Sequence, residues 1–163
     1  MNKTKDISEI TTVLASNPVM QTLTIFFENN KDSEITTGEK HLFIIGWICH
    51  LNTCVMHIAA LEMGKQTSKA RVCESYEAIM KTLKNIEDKE IFEEIRELRS
   101  ILMHRGFPFP APNKNKEKQQ KDQKLCEKYC AMSLTDLQSI FAKILGLVLK
   151  PLYGVSFGIG TPR

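Results

Sequence analysis

The chain has 163 residues, 42% of them hydrophobic and 25% charged, and carries a net charge of +3. This length and balance suit a single globular domain over residues 1–163 with a sizeable core, and they exclude a low-complexity or strongly charged disordered chain. Five cysteines, without the even count and spacing of a secreted scaffold, point to reduced thiols in a cytosol.

The first residues, Met1 to Asp6, lack the apolar run of a signal peptide. The apolar stretch from Ile144 to Ile159 is interrupted by Lys150, Pro151 and glycines, too broken to cross a bilayer. The expected protein is therefore soluble and cytoplasmic, with no membrane contact.

A first helical region is expected from about Asp6, where Asp6 and Glu9 have capping-box spacing, to Asn29, split at Pro18. Asn29 to Ser33 reads as a polar loop. Thr36 and Glu39 repeat the capping-box spacing and open a long helix to Met63, ended by Gly64. Its run from Leu42 to Ile48 is apolar on nearly every side, which marks the central core helix. Val72, Tyr76, Ile79 and Leu83 place a third helix over about Ser68 to Lys84. Asp88 can cap a fourth, in which Ile91, Ile95, Leu98 and Leu102 form an apolar stripe ending near Arg105.

A Pro/Lys-rich loop is expected at about 106–124, beginning with the extended segment Gly106 to Pro112. A further helix begins around Gln119 and runs to Ala131. Ser133 and Asp136 open a last helix to about Leu149, followed by an irregular glycine-rich tail. No strand alternation and no internal repeat is visible. The fold class expected is all-α, an up-and-down helical bundle with an extra C-terminal helix and an irregular tail.

Arg99 and His104 fall at the end of the fourth helix, in Arg99-Ser100-Ile101-Leu102-Met103-His104. An arginine holds a phosphate through its planar fork of donors, and a histidine moves protons near neutral pH. Together they suffice for cleaving RNA without a metal, with the ribose 2′-hydroxyl as internal nucleophile. An arginine followed after four to six residues by a histidine, in an all-helical chain of this length, resembles the HEPN superfamily of helical-bundle ribonucleases and their inactive relatives. That resemblance implies a metal-independent endoribonuclease with Arg99 and His104 as catalytic residues and RNA as substrate. It also implies a homodimer and a role as a toxin or a phage- or stress-defence component, with an antitoxin or partner protein to restrain it. Ser100 is an auxiliary candidate for orienting the phosphate or a water, and Arg105 for a second phosphate contact. No cofactor and no metal are expected.

Five positions along a regular helix turn through about 500°, so Arg99 and His104 point about 140° apart. Either the helix loosens at His104, or two chains pair and present both motifs to one cleft. The second is favoured, because the resemblance implies a composite site at a two-fold interface. The competing interpretation is structural: Arg99 pairs with Glu94 or Glu97, and His104 meets terminal carbonyls.

Six lysines lie in residues 113–130 against Glu117, Asp122 and Glu127, so the net positive charge resides there. Lys114, Lys116, Lys118, Lys121 and Lys124 are candidates for holding the RNA backbone. With no aromatic residues between them they would attract phosphates without reading bases. A solvated linker is the alternative. Phe107 and Phe109, between prolines, either stack on a base or fasten the loop. His50, Cys54 and His57 share one helix face at metal-capable spacing, among apolar neighbours that favour a buried polar cluster instead. A second function class remains open: a non-catalytic bundle that binds a nucleotide, RNA or a protein.

Overall fold

A computed structural model describes residues 17–64, 71–112 and 115–153. The Asp6/Glu9 capping box, the region around Ser68, Lys114 and the tail after Tyr153 lie outside the described residues. Helices make up 81% of the described residues, in six segments with no strand.

Helix α1 (Pro18–Asn30) begins where Asn17 accepts a hydrogen bond from the Val19 amide at 2.9 Å. Pro18 stands at the first helical position, where its missing N–H costs nothing. Helix α2 (Thr37–Glu62) opens with the expected capping box. Glu39 accepts from the Thr36 amide at 2.8 Å, and Thr36 Oγ1 accepts from the Glu39 amide at 3.2 Å. Gly64 follows its end with φ +62°, a backbone conformation that disfavours a side chain.

Helix α3 (Val72–Thr82) and helix α4 (Ile86–His104) follow. Asn85, not Asp88, caps α4, accepting from the Glu87 amide at 2.9 Å. Asp88 lies in the first turn instead, where its negative charge suits the helix dipole and Lys143 reaches it at 2.8 Å. Helix α5 (Lys116–Ala131) starts at Asn115, which accepts from the Lys118 amide at 3.1 Å. The expected loop at 106–124 is therefore shorter: its second half is helix, because a capped run of Lys, Glu and Gln has good helix propensity. Helix α6 (Leu134–Tyr153) opens with Ser133 Oγ accepting from the Asp136 amide at 3.0 Å. It continues past the expected end at Leu149 and through Pro151 to Tyr153.

Helix α2 packs against all five other described helices and is the axis of the bundle. Trp47 stacks on Phe141 of α6 with ring centroids 5.6 Å apart, and its indole N–H donates to Gln138 at 3.1 Å. Every helix contributes to one core: Leu23, Ile44, Ile79, Ile95, Tyr129 and Ile144 are all buried in it. The stretch Thr37–Ala60 is long and apolar enough to cross a bilayer, and 56% of it is buried inside the bundle, as befits a central helix. On α4 the stripe of Ile95 and Leu98 is buried as expected, flanked by Phe92 and Ile101, while Ile91 and Leu102 pack at its margin.

At Gly46 the Leu23 side chain of α1 lies close against α2. A Cβ added there would lie 2.9 Å from Leu23 Cδ2. The end of a leucine can shift for a single methyl, but a β-branched side chain has no room. We expect Gly46→Val to destabilise the fold by about 1–3 kcal/mol, read from urea denaturation.

Candidate active site

Arg99, Ser100 and His104 line one cleft of about 460 Å³ between α3 and α4, together with Arg96 and Glu97 of α4 and Val72, Cys73 and Tyr76 of α3. Helix α4 is unbroken to His104, so it does not loosen there. The cleft accommodates the divergence instead: Arg99 stands at one edge of the helical arc that forms its wall, Arg96 and Ser100 lie between, and His104 stands toward the other edge. Arg105 ends the helix, and Gly106, with φ +86°, turns the chain away. His104 is exposed and Arg99 half-buried.

The arginines differ in what they hold. Arg71 faces Glu74 at 4.0 Å and Arg96 pairs with Glu93 at 3.1 Å. Arg105 pairs with Glu97 at 2.7 Å and with Asp122 of α5 at 3.3 Å. Of the described arginines, Arg99 alone has no carboxylate of the described residues within ion-pair distance. The glutamates proposed to neutralise it are engaged elsewhere: Glu97 with Arg105, and Glu94 with Lys128 at 2.7 Å and with the Tyr129 hydroxyl at 3.0 Å. Arg99 Nε is buried without a hydrogen-bond partner.

Arg105, the candidate for a second phosphate contact, is engaged within the protein. Its side chain is only 14% exposed and its charge is matched by two carboxylates, one of them on the 2% exposed Asp122. It ties the end of α4 to α5.

The lysines are also placed differently from a basic arm. Lys121, Lys124 and Lys128 of α5 line a groove opposite Glu90, Glu93, Glu94 and Glu97 of α4. Their field is opposed by this acidic row, whose Glu97 also lines the cleft of Arg99 and His104. Lys116 and Lys118 lie exposed on the first turn of α5, Lys116 beside three glutamines. The structure thus does not bring the lysines to the Arg99–His104 cleft. Phe107 packs on the core and Phe109 is 78% exposed, both edge-on to His41. One aromatic fastens the loop and the other is left at the surface.

Tyr76 is the member of the cleft that the sequence offered only as part of an apolar stripe. It is 1% exposed, its ring lies 5.4 Å from that of Phe92, and its hydroxyl has no partner among the described residues. Burial pushes its phenol up, with Arg99 and then Arg96 pulling the other way, so the hydroxyl keeps its proton at neutral pH.

His50, Cys54 and His57 do not converge. Asn17 Nδ2 donates to His50 Nδ1 at 3.3 Å, which leaves the imidazole proton on Nε2, 3.4 Å from Cys54 Sγ. His57 Nδ1 meets the Thr53 carbonyl at 2.8 Å. No group of three His, Cys, Asp or Glu suited to a metal occurs among the described residues. Burial pushes the Cys54 thiol up to about 12, far from a thiolate nucleophile.

Burial also pushes the His50 imidazole down to about 4 from 6.5. The unfolded chain takes up a proton near the ordinary value that the folded chain refuses until much lower pH. The fold therefore loses stability as pH falls from about 6.5 toward about 4, by about 3 kcal/mol at the limit. Urea denaturation of wild type and His50→Gln at about pH 7 and about pH 5 should show the smaller loss in the variant.

Among the described residues, fold and cleft define an all-α helical bundle in which an arginine without an ion-pair partner shares a cleft with a histidine. No family model, curated protein or solved structure matches the chain.

Proposed function

We propose that the protein is a metal-independent endoribonuclease of HEPN type, acting as a homodimer in the cytoplasm as a toxin or a defence component. The observation that carries this reading is the Arg99 guanidinium, with no carboxylate of the described residues at ion-pair distance, sharing a cleft with His104 and Ser100. A half-buried cation left without a counter-ion costs stability, and a phosphate in the cleft offsets that cost.

In this reading Arg99 holds the scissile phosphate and stabilises the charge that grows on its oxygens. The ribose 2′-oxygen attacks phosphorus, its proton passes to a base, and the bond to the 5′-oxygen breaks. The products are a 2′,3′-cyclic phosphate and a 5′-hydroxyl. His104 serves as the base or as the acid that protonates the leaving oxygen. A dimer supplies the second group, since one histidine cannot be base and acid in the same step. Ser100 orients the phosphate or a water from the adjacent helical position.

Growth of a host expressing the protein tests the reading cheaply. Wild type should slow growth, and His104→Ala at equal expression should relieve the effect. A nucleotide or protein that co-purifies in fixed stoichiometry, with growth unaffected, would instead favour a non-catalytic binding bundle.

A further inference from the structure

We propose that Phe109, exposed on the loop that follows α4, is a base-stacking residue for the RNA strand whose scissile phosphate Arg99 holds. The proposal rests on the reading of the cleft as a ribonuclease site. Phe109 is 78% exposed, the most exposed large apolar side chain among the described residues. Its ring meets that of His41 edge-on, with centroids 6.4 Å apart, and an edge-on contact covers at most one face of the ring. An open aromatic face is what an unstacked base binds, whatever the identity of that base.

The loop holds the ring in place, close behind His104. The Ala111 amide donates to the Arg105 carbonyl at 2.6 Å, which closes the loop at the end of α4. Gly106 turns with φ +86°, and a Cβ there would lie 3.4 Å from the Phe109 carbonyl oxygen. Pro110 restricts Phe109 to extended backbone, and Phe107 anchors the loop on the core. A ring fixed in this way loses little freedom when a base arrives. Helix α2 relates the ring to the cleft. Burial pushes the Cys49 thiol of α2 up and Arg99 pulls it down, so Arg99 stands near the level of Cys49. His41, which Phe109 touches, precedes Cys49 by eight residues, about 12 Å along the helix axis and about 80° around it. Phosphate ligand and ring thus stand at different levels of the bundle, as neighbouring nucleotides of an extended strand require. On α4, Met103 is 45% exposed and falls between Arg99 and His104 on the helical arc, where it offers apolar surface to the same strand.

The test measures affinity for a single-stranded oligoribonucleotide whose 2′-hydroxyls are methylated, which cannot be cleaved. Phe109→Ala should bind it about five- to hundredfold more weakly, as for the loss of one stacked base. The variant should keep the wild-type melting temperature, because the ring is exposed. Phe109→Trp should bind as wild type does and Phe109→Leu should not, since stacking needs a flat face. Removing bases from the oligonucleotide one at a time locates the partner. At one position the missing base should weaken binding by wild type and make no difference to Phe109→Ala. Wild-type affinity in Phe109→Ala or in Phe109→Leu would overturn the assignment. So would a Phe109→Ala variant that dissociates a dimer, which would make the ring a contact between copies of the chain. Binding that depends on Phe109, without cleavage of unmodified RNA, would remove the nuclease reading and leave the stacking role. Cleavage by Phe109→Ala with wild-type affinity would remove the stacking role and leave the nuclease.

Discussion

Replacing His104 by alanine should lower the rate of RNA cleavage by about 10²–10⁴-fold, the range lost when a positioned general acid or base is removed. His104 is exposed on the final turn of α4, so the variant should keep the wild-type melting temperature. That combination separates a chemical role from a structural one. Arg99→Ala should behave differently: it removes a half-buried cation with no carboxylate of the described residues at ion-pair distance, so its loss of cleavage should come with no loss of stability and with weaker RNA binding. Affinity for an oligoribonucleotide whose 2′-hydroxyls are methylated, which cannot be cleaved, distinguishes the two, since His104→Ala should retain most of it.

The second large effect concerns the fold. Asp122→Ala should destabilise the protein by about 3–5 kcal/mol, because it leaves Arg105 short of a partner at a buried position. Asp122 is 2% exposed and holds Arg105 at 3.3 Å, joining α5 to the end of α4. Glu97, also on Arg105, keeps part of the compensation, which places the expectation at the lower end of that range. Chemical denaturation measures the loss. The Arg105–Asp122 pair also holds the turn that directly follows His104, so cleavage by Asp122→Ala should fall even at temperatures where the variant stays folded.

Much of the fold was legible because its signals are local. The Thr36/Glu39 box, the Ser133/Asp136 spacing, Gly64 and the stripe of α4 each depend on residues within a turn or two of one another. Where two local signals competed, the nearer one decided: Asn85 lies just before α4 and displaces Asp88 as its cap. The lysine segment was harder. Read as composition it is a charged linker. Read by position, Asp122, Leu125, Cys126 and Tyr129 form an inward face, and the carboxylate in that face was the available sign of a buried ion pair. The cleft was legible in part. Arg99, Ser100 and His104 lie close in sequence, whereas Tyr76 is brought beside them only by the packing of α3 on α4, and no spacing along the chain reveals that its hydroxyl has no partner among the described residues. For the same reason the engagement of Arg105, Glu94 and Glu97 by distant partners could not be read from their own helix.

The most direct test is to incubate purified protein and its His104→Ala variant with mixed RNA in the presence of a metal chelator and identify the product ends. The account predicts cleavage by wild type alone, leaving 2′,3′-cyclic phosphate and 5′-hydroxyl termini. Intact RNA after incubation with a folded wild-type dimer, or equal cleavage by the variant, would contradict it.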